Sequence, residues 1–256
     1  LAKKSLQSEK RRNLMVVIAV ALASCLICFS IVMALSTRQI EKNHVEDTYE
    51  AVYTRITEED VSTLKGLDDF SRVGEYYMLA VEPAKQGYNA SYIYCDEETM
   101  YIARDQMKLL EGRLPQKEDE VAVSRYFLSN YGADAGIGEK VMLNSESFHG
   151  EYTVTGILEG YKEKEVNGSS ILLSKEALKG WSGYDPADYR AYVHFKNEQQ
   201  MDETELTARS REIAKEYQLE MPIMNLSYMK FYKQPVNVSM LALVAGIAVL
   251  VIIGGY

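Results

Sequence analysis

Leu14 to Leu35 reads LMVVIAVALASCLICFSIVMAL, 22 residues without a charged side chain. At about 1.5 Å per residue a helix of that length spans ~33 Å, enough to cross the hydrocarbon core of a bilayer. Working outward, residues 1–13 hold five cations (Lys3, Lys4, Lys10, Arg11, Arg12) and one anion, Glu9. On the other side, residues 36–235 hold 23 cations and 36 anions. A second charge-free run, VNVSMLALVAGIAVLVIIGGY, fills Val236 to Tyr256. Lys and Arg gather on the cytoplasmic side of a membrane. The expected layout is therefore a cytoplasmic basic lead (1–13), transmembrane helix 1 (14–35), an extracytoplasmic domain (36–235) and transmembrane helix 2 (236–256), cut short. The chain opens on Leu1 and has no polar tail after its second run, so it reads as a piece of a longer, multi-pass protein of the plasma membrane.

Three other readings of the first run are weaker. A cleavable signal peptide has an apolar core of about 7–15 residues, and only Ala34-Leu35-Ser36 resembles a cleavage site. Leu22-Ala23-Ser24-Cys25 resembles a lipoprotein signal, but ten apolar residues follow Cys25 where such a protein turns polar. A buried core helix does not suit the charge-free length and the basic flank.

Of the 256 residues, 47% are hydrophobic and 25% charged, and the formal net charge is -9. That acidity argues against a nucleic-acid binder, which needs clustered Lys and Arg. The mean hydropathy of -0.21 excludes a chain mostly embedded in lipid. Two hundred residues between the runs suffice for one sizeable core or two small subdomains. Cys25 and Cys28 lie inside the apolar run, and Cys95 alone lies outside it, so no disulfide framework is available there.

Between the runs, strand patterns alternate with short helices. Ser36 to Asp47 continues the first helix outward. Ala51–Ile56 is β-rich, and Thr57-Glu58-Glu59-Asp60 reads as a capping box opening a helix that buries Val61 and Leu64 and ends at Gly66. Further strands are expected over Arg72–Val81, Ser91–Tyr94, Glu120–Val123, Lys140–Leu143, Tyr152–Leu158, Ile171–Leu173 and Tyr189–Phe195. Met107–Leu110 leads into a break at Glu111–Pro115. Ser124 caps a short helix through Tyr131, with Gly132 at its C-terminal stop, and Ser174 caps another that ends at Gly180. Asp202–Tyr217 is the best helix outside the membrane runs, with Leu206, Ile213 and Tyr217 on one face. The fold class is a membrane protein whose transmembrane α-helices flank a mixed α+β extracytoplasmic domain.

Enzyme chemistry is not legible. No phosphate-cradling G-x-x-x-x-G-K-[ST] loop occurs, so the chain alone is not expected to bind ATP. Gly136-Ile137-Gly138 lacks a third glycine and leads into a strand, which makes it a turn. His44, His149 and His194 stand apart without ligand spacing, so no metal or cofactor is expected. No G-x-S-x-G elbow is present. The acidic runs Glu58-Glu59-Asp60 and Glu118-Asp119-Glu120 read as solvated faces. The nineteen tyrosines suit either a ligand groove or half-buried strand positions. No catalytic, cofactor-binding or metal residue is named.

One stretch is specific. Glu111-Gly112-Arg113-Leu114-Pro115 is followed by Glu120-Val121-Ala122-Val123-Ser124 and Tyr131-Gly132. Gly136-Ile137-Gly138-Glu139-Lys140-Val141-Met142-Leu143 and Tyr152-Thr153-Val154-Thr155-Gly156-Ile157 come next. In order and spacing this resembles the MacB-like periplasmic core domain of FtsX-like ABC transporter permeases. Glu139 stands where that family usually has Asp. Physically, Gly112, Gly132, Gly136, Gly138 and Gly156 supply turns or close backbone approach, and Val121, Val123, Val141 and Leu143 a sheet face. These are determinants of fold.

The resemblance implies a transmembrane permease subunit of an ABC transporter in a bacterial plasma membrane. Its partners would be an ABC ATP-binding subunit on the cytoplasmic side, a second permease copy or half, and the lipid itself. It leaves export, extraction and signalling open. The alternative is a two-span membrane receptor, such as a sensor kinase with an extracytoplasmic ligand-binding domain.

Overall fold

A computed structural model of the chain describes residues 2–45, 48–83, 88–103, 107–131, 135–160, 163 and 168–233. Gly132, Asp47 and the run 236–256 lie outside the described residues. The chain divides into two compact units, Leu1–Asn43 with Gln234–Tyr256, and His44–Lys233.

Helix α1 (Ala2–Val45) is continuous for 44 residues. Over Val20–Thr37 it is long and apolar enough to cross a membrane. Leu22, Leu26, Phe29 and Leu35 stand exposed along it. The Ser30 hydroxyl turns back onto the Leu26 carbonyl at 2.8 Å, so this polar group is satisfied within the helix.

In the second unit ten strands join one sheet. They are β1 (Ala51–Ile56), β2 (Phe70–Pro83), β3 (Asn89–Cys95), β4 (Met107–Gly112), β5 (Glu120–Ser124), β6 (Lys140–Asn144), β7 (His149–Gly160), β8 (Gly168–Leu173), β9 (Tyr189–Phe195) and β10 (Ile223–Met224). Their order is β10-β1-β9-β2-β3-β8-β5-β7-β4, and β6 pairs β7. β4 pairs with Gly156–Gly160 and β6 with the preceding His149–Thr153, so the two share the length of β7. The pairs β3–β8 and β5–β7 are parallel, and the rest are antiparallel.

Alternate residues of a strand point to opposite faces, and here they sort the core. Ala51, Tyr53, Tyr92, Val121, Val123, Val141, Leu143, Ile171 and Leu173 enter the main core. Helices bury one stripe each against it: Val61 and Leu64 of α2 (Glu58–Lys65), Phe127 of α4 (Arg125–Tyr131), Leu178 of α5 (Lys175–Gly180), and Leu206, Ile213 and Ala214 of α6 (Glu203–Glu216). Their neighbours along the strands belong to two smaller clusters. Ile93, Cys95, Ala122 and Leu172 form one, and Val52 and Tyr192 join Ile102 of α3 (Glu97–Ile102) in the other.

The expected caps are present. Thr57 and Asp60 form the reciprocal capping box of α2, the Ser124 hydroxyl accepts the Phe127 N–H at the start of α4, and Ser174 caps α5; beyond these, Asp202 with Glu205 caps α6. Two expectations are corrected. Met107–Leu110 is edge strand β4 and no mere lead into a break, because its backbone pairs with β7. β2 extends beyond Arg72–Val81 at both ends, since β9 and β3 supply partners from Phe70 to Pro83.

Candidate functional site

The segments at the two ends of the second unit are joined to each other. After α1, the Thr48 N–H and hydroxyl both donate to the Val45 carbonyl, at 3.2 and 2.9 Å. The Tyr49 N–H donates to Ile102 O and the Glu50 N–H to Val193 O, each at 3.0 Å. On the outgoing side, the Asn225 N–H donates to Glu50 O at 2.8 Å, and its Nδ2 to Tyr49 O at 2.9 Å. Asn225 Oδ1 accepts the Ser227 and Tyr228 N–H groups, which starts α7 (Leu226–Tyr228) and the following π turn Met229–Lys233. Ala51 and Val52 of β1 pair with Met224 and Ile223 of β10. Beyond this joint, Tyr49 and Val52 pack with Ile102 and Tyr192, while Tyr228 and Met229 enter the main core. The two segments are thus anchored in different clusters and clasped at Glu50 and Asn225.

Glu50 brings a carboxyl group into that clasp with no side-chain exposure. Its Oε2 accepts the Phe195 N–H at 2.7 Å. Its Oε1 lies 2.6 Å from His194 Nδ1, which is also 3.1 Å from Thr48 O. Burial raises the Glu50 pKa, opposed by the hydrogen bond and charge of His194 and by the Phe195 N–H. For His194, burial pulls the pKa down, and the hydrogen bond and charge of Glu50 outweigh it, leaving the imidazole raised.

The stretch that resembles a family forms a single knot. Gly112 has φ +81, and a Cβ there would sit 2.1 Å from Thr155 O. At Gly156 a Cβ would sit 2.6 Å from Arg113 O. This close approach allows the Arg113 N–H to donate to Thr155 O at 2.9 Å. The Arg113 guanidinium grips both oxygens of Glu120, and the Gln116 and Lys117 N–H groups add to Oε2. The guanidinium, with those two N–H groups, holds the Glu120 carboxyl at about 2 despite the opposing effect of burial. The Glu139 carboxylate accepts the Gly136 N–H at 2.8 Å and closes the turn before β6, so the longer acid serves there.

A third cluster ties helices to the sheet. Lys175 Nζ lies 2.6 Å from Glu75 Oε1 and 2.7 Å from Glu58 Oε1, and Lys179 holds the other oxygen of Glu58 at 2.9 Å. Lys65 donates to Asp96 Oδ2, while Asp96 Oδ1 accepts the N–H groups of Glu75 and Thr99. Lys175 first, and then Lys179, lower the Glu58 pKa. The arrangement braces α2, α3 and α5 against β2.

These positions correct part of the sequence reading. Glu120 is buried and paired, while Glu118 and Asp119 face solvent. Glu58 is tied into an ion-pair cluster and Asp60 is a cap, leaving Glu59 on the solvated face. Tyr53, Tyr77, Tyr92 and Tyr189 are fully buried in the core, and the Tyr53 hydroxyl donates to Ser210 O. His149 lies on the exposed β6–β7 hairpin, far in the fold from the joint at His194. Among the described residues no three His, Cys, Asp or Glu side chains are grouped to hold a metal ion. Glu50 and Asn225 carried no sequence signal, since their partners lie 144 and 176 residues away.

A family model described as the MacB-like periplasmic core domain matches residues 14–211. Two solved structures are similar. The extracellular domain of the noncanonic ABC-type transporter YknZ from Gram-positive bacteria is 15% identical with a TM-score of 0.48, over 70% of this chain and 100% of that one. The periplasmic region of MacB from Actinobacillus actinomycetemcomitans is 12% identical with a TM-score of 0.48, over 73% and 92%. No curated protein matches the chain.

Proposed function

The chain belongs to the family of MacB-like periplasmic core domains of FtsX-like ABC transporter permeases, and from that membership we propose that it is a transmembrane permease subunit. In this reading residues 1–13 are cytoplasmic, 14–35 and 236–256 cross the plasma membrane, and 36–235 stand outside it. An ABC ATPase binds on the cytoplasmic face, and a second permease copy or half completes the assembly. The subunit is a mechanical coupler with no catalytic residue of its own.

The joint between Glu50 and Asn225 is the observation that supports this reading best. The ingoing and outgoing segments meet at these hydrogen bonds besides packing into separate clusters, so a shift of either helix in this reading would be felt at one shared joint. Packed elements of this kind move between discrete arrangements. ATP binding biases them only if the two states differ in stability with nucleotide bound.

The test reconstitutes the full-length protein with its ATPase and measures the distance between spin labels at Ser36 and Pro235. The expected result is a nucleotide-dependent change, with an ATP-binding but hydrolysis-dead partner holding one state. Labels that ignore every nucleotide, yet respond to an extracellular ligand without an ATPase, would overturn the proposal in favour of a two-span receptor.

A further inference from the structure

The His194 side chain is 15% exposed and the Glu50 side chain 0%. Glu50 Oε1 and Thr48 O both face His194 Nδ1, and with Glu50 ionised both are acceptors, so Nδ1 then carries a hydrogen. A second proton on Nε2 makes an imidazolium beside a carboxylate, a pair without net charge. Removing it leaves a lone buried anion, which is costly in a site of low dielectric.

The surroundings reinforce that asymmetry. Glu198, in the turn after β9, adds negative potential to both groups. Arg72, the register partner of His194 on β2, directs its guanidinium to Glu98 and to the Tyr101 ring. Asn225, across the joint, is uncharged. The pair also sits where a change of state has mechanical effect. Glu50 binds β9 through its N–H and carboxylate, and binds the outgoing segment through its carbonyl.

We propose that the joint is a proton-binding site, in which one exchangeable proton, taken up at His194 Nε2 beside the Glu50 carboxylate, tightens the clasp of the ingoing and outgoing segments and its loss loosens that clasp. The ligand is the proton of the outer medium, admitted at the partly exposed edge of His194. What the proton regulates rests on the coupling reading above. Its binding does not.

Burial, the largest influence on each group, raises Glu50 and is overcome at His194 by Glu50, so both pKa values are raised in the fold. A raised value means that the contribution is fully present below the unfolded-state pKa and is lost as pH rises through the folded-state value. The clasp is therefore tight in mildly acidic medium and loosens as the outer pH climbs above about 6.5, the ordinary histidine value.

The decisive measurement is a nuclear magnetic resonance titration of carbon-13 histidine in the full-length chain in lipid nanodiscs. His194→Gln assigns the His194 signal among the three histidines. The expected midpoint lies above about 6.5, and Glu50→Gln removes the rise. Exchange of the Phe195 amide, corrected for its intrinsic rate, should be slower at low pH than at high pH, with the difference lost in Glu50→Gln. Midpoints at or below about 6.5 for all three wild-type histidines overturn the proposal even if neither variant folds. A raised midpoint without any nucleotide-driven distance change leaves the proton site standing and removes only the coupling reading.

Discussion

Arg113 holds Glu120 in a two-pronged grip, Nη1 to Oε2 at 2.8 Å and Nη2 to Oε1 at 2.7 Å. Planar guanidinium and carboxylate match in such pairs. The grip spans the turn between β4 and β5 and keeps both strands against β7. Because the Glu120 pKa is depressed, its contribution is present above the unfolded value of 4.5 and lost as pH falls through about 2. Thermal melts of Glu120→Gln should show a lower Tm than wild type at pH 7. The two curves should converge as the medium is acidified towards pH 2.

Gly112 and Gly138 both have positive φ, at +81 and +86, but only Gly112 is crowded. A left-handed conformation costs a non-glycine residue about 1–2 kcal/mol. Gly138→Ala meets no atom within 4 Å and should cost about that much. Gly112→Ala must also push aside the Thr155 carbonyl and should cost more, about 3–5 kcal/mol. Equilibrium denaturation of the two variants tests the order, and equal losses would contradict the crowding argument.

Asn225→Ala removes the bond to Tyr49 O and the cap of α7. The stability loss should be about 1–3 kcal/mol. The larger effect is expected in coupling. Spin labels at Ser36 and Pro235 should still respond to nucleotide, while labels placed within the outer sheet should cease to follow them.

Orientation is testable in intact cells. A cysteine at the exposed Ser129 of α4 should react with a membrane-impermeant thiol reagent, and one at Ser8 of the basic lead should not. The opposite labelling would invert the topology.

Local structure was legible where a short segment carries its own instructions. Ala51–Ile56 and Tyr189–Phe195 are strands over the expected residues, and Thr57-x-x-Asp60, Ser124 and Ser174 cap the helices that follow them. These signals are side chains bonding within three residues or alternating at period two. Met107–Gly112 escaped because an edge strand needs only one partner and shows little alternation. Ile223–Met224 and the Asn225 cap escaped because two residues make no periodic pattern. The joint itself was invisible for a related reason. Glu50, His194 and Asn225 are ordinary polar residues until the sheet places β1 between β9 and β10. The glycines and Glu120 of the family-like stretch stand out in the sequence by their spacing, and only the fold shows Arg113 gripping Glu120 and bonding Thr155 O between Gly112 and Gly156.

The position of β1 between β9 and β10 also sets a schedule. β1 emerges from the ribosome early, but its first partner, β9, lies roughly 130 residues downstream. At about 5–20 residues per second, that is on the order of 10–30 s of synthesis, far longer than hairpins take to form. Throughout that interval Ala51, Tyr53 and Ile56, all destined for burial, remain unpaired. The last strand to arrive, β10, closes the edge only when the outgoing segment is being delivered. The edge of the sheet around β1 is therefore the last part to be completed.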